Sequence, residues 1–237
     1  MQRGSSRLRT ERRQRVDIAS ACRGLAREHG NPRLGNRRNP LDELLFVILS
    51  TRTQDATYRR TFRALKSAYP RWALLRRSER ARVAQILQPG GLAQLKARQI
   101  VAILESITRS FGAPTLAPLR HLDDEAAERF LTGLPGVGRK VAKCVLMYSL
   151  DRQVLPVDVH VHRLASRLGL RVKRRPDTSQ DLIEDAIPPK LRYGFHVNAV
   201  AHGRSVCLPT SPRCDECRIS SFCRYYRHHG KPNAASA

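Results

Sequence analysis

The chain has 237 residues, enough for one large domain or two small ones with a well-filled core. Its 44 lysines and arginines outnumber 20 acidic residues, giving a formal net charge of +24; this predicts a polyanionic partner such as nucleic acid. No run approaches the roughly 18 apolar residues of a membrane span, and the start lacks the apolar core of a secretory signal. We therefore expect a cytoplasmic protein that binds no membrane and has no disulfides.

Arginine strongly outnumbers lysine among the basic residues, with 44 − 7 = 37 arginines against seven lysines. A GC-rich genome would favour arginine in this way. Such a bias explains which cation is used, but it does not explain why cations exceed anions. It also makes each lysine an unusual choice.

Apolar residues with helical spacing recur along most of the chain. Residues 1–14 are predicted to form a flexible basic arm. Helices are predicted at about 16–26, 41–50, 56–68, 79–87, 92–111, 123–131, 139–150 and 159–168, with glycine and proline clusters between several of them. Signals for β-strands are scarce. The predicted fold class is all-α.

The segment Leu134-Pro135-Gly136-Val137-Gly138-Arg139-Lys140 is a glycine-bearing turn that leads into a helix. Glycines let the backbone approach an anion closely, and the N–H groups at a helix start can bind a DNA phosphate. The alternative is an ordinary helical hairpin whose glycines serve tight packing. Short glycine motifs alone do not decide between the two.

Lys140 lies in the first turn of the predicted helix. The positive end of the helix dipole disfavours its ammonium form, and we expect Arg139 and Lys143 to add like charge. A neutral lysine is an amine nucleophile that can form a Schiff base, which arginine cannot readily do. A plain phosphate contact is the commoner role for a lysine in a basic protein.

Asp158 follows Lys140 by eighteen positions and precedes the predicted helix at 159–168. An aspartate at this place is first of all an N-cap, which contributes about 1 kcal/mol. Capping is compatible with catalysis, because a side chain held by backbone N–H groups is a positioned carboxylate.

Four cysteines lie within seventeen residues near the C-terminus: Cys207, Cys214, Cys217 and Cys223. In a reducing compartment this density indicates a metal site, and either zinc or a [4Fe–4S] cluster accepts four thiolates. The spacing by itself leans toward zinc. Cys22 and Cys144 occupy apolar helical patterns and are interpreted as buried core thiols.

Taken together, these segments resemble the endonuclease III family of DNA glycosylases, in the helix-hairpin-helix superfamily. The resemblance extends over about residues 41–226, and its carriers are the turn before Lys140, the segment 157–163 around Asp158, and the stretch from His202 through the four cysteines. It implies a [4Fe–4S] cluster on these cysteines instead of zinc. It also implies two helical domains with the active site in the cleft between them: a six-helix barrel with the hairpin at 33–151, and a cluster domain from 15–32 and 152–226, followed by a flexible tail at 227–237.

The resemblance further implies a bifunctional glycosylase and AP lyase that removes oxidised pyrimidines from double-stranded DNA and nicks abasic sites by β-elimination. Lys140 falls on the family's nucleophile and Asp158 on its assisting carboxylate. The turn residues Gly136, Val137, Gly138 and Arg139 are expected to contact DNA, and the protein to act as a monomer. The alternatives are a monofunctional glycosylase of the mismatch, adenine or uracil type and a non-catalytic DNA-binding protein on the same scaffold.

One position departs from the family's pattern. Where relatives often place a glutamine that fills the gap left by a flipped nucleotide, this chain has Arg52, with Gln54 two residues on. Either side chain could fill that gap. Leu92 matches the family's apolar wedge, although a core leucine is the alternative.

Overall fold

The computed structural model describes residues 17–229 and is all-α; among these residues there is no β-strand. The predicted fold class is confirmed. Eleven α-helices occur in this range: α1 (Ile18–His29), α2 (Pro40–Ser50), α3 (Asp55–Ala68), α4 (Arg80–Leu87), α5 (Ala93–Phe111), α6 (Asp124–Thr132), α7 (Arg139–Ser149), α8 (Val159–Leu168), α9 (Gln180–Ala186), α10 (Pro189–Ser205) and α11 (Arg224–His229).

Short 3-10 helices connect several of these elements, at Trp72–Leu74, Arg77–Glu79, Gln88–Gly90, Ala117–His121, Asp177–Ser179, Cys214–Glu216 and Ser220–Phe222. The described chain forms two compact units. We call residues 35–156 the central unit, and residues 17–34 with 157–229 the terminal unit. The two boundaries differ slightly from the predicted ones. Residues 33 and 34 were predicted in the barrel domain and lie in the terminal unit, whereas residues 152–156 were predicted in the cluster domain and lie in the central unit.

The central unit contains helices α2 to α7, built around the nearly wholly apolar helix α2. Asn39 caps α2, its side chain accepting hydrogen bonds from the N–H groups of Leu41 and Asp42, and Pro40 occupies the first position. From Leu44 to Leu49 every side chain is buried. Helices α3 and α7 pack directly on α2, α5 packs on α4, and α6 packs on α7. The position of α7 therefore follows from burial of α2.

The terminal unit joins α1 to helices from the C-terminal half of the chain. Helix α10 packs against both α1 and α8, and α11 packs against α8. A glycine in the left-handed region ends α1 and α8, at Gly30 (φ 68°) and Gly169 (φ 98°). The unit thus fixes α8, whose first residue follows Asp158.

The predicted helix bounds from α2 to α8 agree with the observed ones to within a residue. The first helix starts at Ile18 instead of 16 and continues three residues beyond its predicted end. Helix α11 includes residues 227–229, which the prediction places in a flexible tail. The predicted basic arm at 1–14 and the remainder of the tail lie outside the described residues.

Candidate functional site

The hairpin formed by α6, the glycine-bearing turn and α7 is anchored by two apolar side chains of the turn. Leu134 and Val137 are both buried in the core of the central unit. Between them Gly136 adopts a φ of +69°, which favours glycine. Its carbonyl accepts a hydrogen bond of 2.9 Å from Gln99 Nε2 on α5. The turn is therefore fixed by the burial of Leu134 and Val137 and by the hydrogen bond from Gln99 on α5.

Gly138 is the N-cap of α7, and the structure gives this helix start no capping side chain. Its φ of −92° and ψ of 170° are extended backbone that any residue can adopt. A Cβ added here would meet nothing within 4 Å. The space beside the α7 N-terminus is therefore open, as close approach of a phosphate requires.

Lys140 is the second residue of α7 and is half-buried. Its two basic neighbours are both engaged by Glu128 on α6: Arg139 Nε lies 2.8 Å from Oε1, and Lys143 Nζ lies 2.9 Å from Oε2. Lys143 is buried, so this ion pair ties α7 to α6. Glu128 therefore offsets part of the like charge that Arg139 and Lys143 add beside Lys140.

Glu43 on α2 is a second ionisable group near Lys140, and its role was not predicted from the sequence. Its carboxyl group is fully buried and accepts hydrogen bonds from Asn36 Nδ2 (2.5 Å) and the Arg37 N–H (2.6 Å). Burial raises the pKa of Glu43 to about 7, although these hydrogen bonds and the charge of Lys140 act in the opposite direction. A carboxyl group in the first turn of an otherwise apolar helix is the signal that could have revealed it.

Asp158 is the N-cap of α8 in the terminal unit. Its Oδ1 accepts hydrogen bonds from the N–H groups of His160 (2.9 Å) and Val161 (2.8 Å). The predicted capping role is thereby confirmed. Both cap bonds use the same oxygen, so the cap fixes the orientation of the carboxylate while Oδ2 takes no part in it.

The three residues expected to enter DNA lie on exposed loops of the central unit. Arg52 is exposed and has a φ of 53° in the tight turn after α2; Gln54 is the exposed N-cap of α3. Leu92, the N-cap of α5, has a φ of 52° and is 45% exposed. The core-leucine alternative for Leu92 is therefore wrong.

The four C-terminal cysteines line one pocket of the terminal unit, together with Arg167 and His202. Arg167 Nη1 lies 3.1 Å from Cys207 Sγ, and His202 Nε2 lies 3.5 Å from Cys217 Sγ. Burial raises the pKa of the Cys217 thiol to about 12. Burial also raises the pKa of Cys214 and Cys223. Buried thiols become thiolates when a cation binds them, so the donor set fits a four-thiolate metal group.

The remaining two cysteines are separate from this pocket. Cys22 on α1 and Cys144 on α7 are both buried in apolar surroundings, as predicted. Burial raises the pKa of Cys22 to about 11, which makes it an inert thiol.

Comparison with known proteins assigns the family. The model of the HhH-GPD superfamily of base excision DNA repair proteins matches residues 45–189, more than half of the chain. Endonuclease III of Thermotoga maritima is 30% identical over 200 residues, which cover 84% of this chain and 90% of that protein. The chain belongs to the endonuclease III family of this superfamily. It is an endonuclease III-like DNA glycosylase of base excision repair.

Solved structures of similar proteins have the same fold. A non-covalent endonuclease III–DNA complex matches with a TM-score of 0.74 at 24% identity and covers 89% of this chain and 95% of that one. A thermostable thymine-DNA glycosylase matches with a TM-score of 0.75 at 19% identity, over 92% and 99% of the two chains. At these identities the likeness shows the endonuclease III fold alone. Within the described residues, every helix is too short or too polar to cross a membrane.

The buried Glu43 carboxyl group predicts a pH dependence of stability. Its pKa rises from an ordinary 4.5 to about 7 on folding, so ionisation costs the folded protein more than the unfolded chain. The free energy of unfolding should therefore fall as pH rises from 4.5 to 7, by on the order of 3 kcal/mol. We expect Glu43→Gln to remove this decrease, because a glutamine side chain does not ionise in this pH range. The variant should keep the fold, since its amide group can donate to Asn36 Oδ1 if the Asn36 amide rotates.

The measurement is urea unfolding of the wild type and Glu43→Gln at pH 5 and pH 8. Glu105→Gln, which changes an exposed carboxylate on α5, is the matched control and should keep the wild-type difference. An identical loss of stability between the two pH values in wild type and Glu43→Gln would contradict the assignment.

Proposed function

We propose that this endonuclease III-like protein is a bifunctional DNA glycosylase and AP lyase that removes oxidised pyrimidines and nicks the abasic strand. The observation that carries the proposal is the position of Lys140, half-buried on the first turn of α7 and directly behind a glycine turn. Duplex DNA is held by its phosphates at this turn, whose open side at Gly138 leaves room for the backbone. The charge of +24 supplies non-specific attraction to DNA.

The damaged nucleotide leaves the base stack before the chemistry starts. Damage weakens stacking and pairing, so the free-energy cost of turning the nucleotide out of the duplex is lower than for an intact base. We propose that Leu92 enters the stack as an apolar wedge and that Arg52 fills the gap beside the orphan base. Gln54 is the second candidate for this gap, since it is also exposed on the same loop.

Lys140 is the proposed nucleophile. Its neutral Nζ forms a bond to C1′ while the glycosidic C1′–N bond breaks, and the base leaves with the electron pair and takes up a proton. The nitrogen of the adduct loses a proton, and its lone pair forms the C1′=Nζ double bond while the C1′–O4′ bond breaks and O4′ takes up a proton. The product is a protonated Schiff base on the opened sugar. Loss of a proton from C2′ then expels the 3′ phosphate, which cuts the strand.

Asp158 is the proposed assisting carboxylate. Its negative charge stabilises positive charge on the sugar as the base leaves, and the carboxylate can carry protons during ring opening. The two cap bonds to Oδ1 hold the group in one orientation before substrate binds. Capping and catalysis are thus two uses of one fixed side chain.

We propose that Cys207, Cys214, Cys217 and Cys223 hold a [4Fe–4S] cluster. The four cysteines line one pocket, and their buried thiols suit a group that binds four thiolates. The resemblance to the endonuclease III family is what favours the cluster over zinc. Such a cluster would link the segments that carry Cys207, Cys214, Cys217 and Cys223, and the reaction proposed above needs no redox step from it.

Trapping with borohydride tests the lyase. Wild type incubated with an abasic duplex should give a covalent adduct on reduction, because borohydride reduces the Schiff base. Lys140→Gln should give none. Lys190→Gln is the matched control, since Lys190 is likewise the second residue of its helix, α10, and should trap like wild type. Base excision without any wild-type adduct would favour a monofunctional glycosylase instead.

Asp158→Asn tests the second role. Asparagine caps a helix about as well as aspartate, so thermal stability should be retained, while base excision should slow by roughly 10²- to 10⁴-fold. Asp123→Asn, at the equivalent cap of α6, is the matched control and should leave excision unchanged. Wild-type excision by Asp158→Asn would show that Asp158 is only a cap.

Metal analysis tests the cluster. Protein purified without oxygen should contain roughly four irons and four sulfides per chain. Cys217→Ser should lose iron, and Cys22→Ser, which changes a thiol outside the pocket, should keep it. Stoichiometric zinc without sulfide would contradict the cluster.

A further inference from the structure

Lys96 on α5 is a buried lysine whose ammonium group lies between two loops of the central unit. Its side chain is only 3% exposed. Nζ donates to the Leu49 carbonyl at 3.0 Å, to Thr53 Oγ1 at 2.7 Å and, at a longer 3.4 Å, to the Gly90 carbonyl. Each of the three N–H donors of the ammonium group thus has an oxygen acceptor.

All of these acceptors are uncharged. Within residues 17–229 no carboxylate forms an ion pair with Lys96, and burial lowers the pKa of its ammonium group. Burying an ammonium group without a counter-ion costs desolvation free energy, and an apolar side chain of similar size would avoid this cost. We therefore look for the role of Lys96 in the groups to which it donates hydrogen bonds.

Two of the three acceptors, on Thr53 and Gly90, belong to the segments that carry Arg52 and Leu92, and the third, on Leu49, lies in the last turn of α2. Thr53 follows Arg52 directly, and Gly90 precedes Leu92 by two residues. The loops are also joined to each other, since Thr53 Oγ1 donates to the Gly90 carbonyl at 2.7 Å. Lys96 thus bonds to one loop through a hydroxyl group and to the other through a carbonyl.

Arg52 and Leu92 both have a backbone conformation that is strained for a residue other than glycine. The Thr53 N–H bonds to the Ser50 carbonyl at 3.2 Å, which makes Arg52 the third residue of a tight turn, at a φ of 53°. Leu92 has a φ of 52° and no side-chain cap bond. Non-glycine residues keep such angles only where their surroundings fix them, and such positions concentrate at functional sites.

We infer that Lys96 is a positioning residue, which locks the Arg52 and Leu92 loops together in the conformation that enters damaged duplex DNA. This inference rests on the proposed insertion of Arg52 and Leu92. It adds that the Arg52 and Leu92 loops are fixed relative to each other before DNA binds, through hydrogen bonds from the buried Lys96 ammonium group.

The experiment measures binding without chemistry. The probe is a duplex containing a tetrahydrofuran abasic analogue, which cannot form a Schiff base, and the readout is its affinity relative to an undamaged duplex. We expect Lys96→Met to lower this preference about tenfold. Lys66→Met is the matched control: it removes a lysine paired with Asp42 elsewhere in the same unit and should keep the preference.

A second comparison separates positioning from general damage to the fold. In a background that carries Arg52→Ala and Leu92→Ala, Lys96→Met should have no further effect on the preference, because the side chains it positions are absent. Thr53→Val, which removes the linking hydroxyl group, should reproduce Lys96→Met and replaces it if that variant does not fold.

Either of two results would overturn the inference. One is a folded Lys96→Met that keeps the wild-type preference. The other is an equal reduction with and without Arg52 and Leu92. Because the analogue is inert, both results are independent of borohydride trapping, so the lyase proposal can fail while this inference stands, and the reverse.

Discussion

The start of α7 is the constraint on which the site depends. Leu134 and Val137 bury the turn in the core, and Glu128 binds a basic residue on either side of Lys140. Because α7 also packs on the apolar helix α2, the first turn of α7 cannot move without disturbing the core of the central unit. The helix turn that carries the proposed nucleophile Lys140 is therefore held by packing and by ion pairs, while the space beside the nearby Gly138 is open.

The central unit contains backbone strain at the two residues, Arg52 and Leu92, that are proposed to enter DNA. Arg52 and Leu92 both occupy the left-handed region, at about 1–2 kcal/mol for each residue. The network through Lys96, Thr53 and Gly90 offsets part of this strain with hydrogen bonds between otherwise separate loops. The arrangement explains how a long arginine can stand where relatives often place a glutamine: the loop is fixed by residues beside it, not by the side chain it presents.

Much of the fold could be predicted from the sequence, because most helices of the central unit have one apolar face, α2 is apolar over most of its length, and glycine or proline residues mark several of the helix ends. Helix α10 was not predicted, since it is buried on several sides and shows no apolar stripe that would mark it as helical. The roles of Glu43, Glu128 and Lys96 were also not predicted. Their partners lie beyond the i+3 and i+4 spacing of a single helix, from six residues away for Glu43 to 47 residues away for Lys96, so helical periodicity does not reveal them.

The central claim is that Lys140 is the nucleophile, and peptide mapping of the reduced adduct tests it most directly. Trypsin cuts after Arg139 but not after a lysine that carries a sugar. The account predicts the sugar remnant on the peptide Lys140-Val141-Ala142-Lys143, attached to its first residue. A remnant on any other lysine, or on the amino-terminus of the chain, would contradict it.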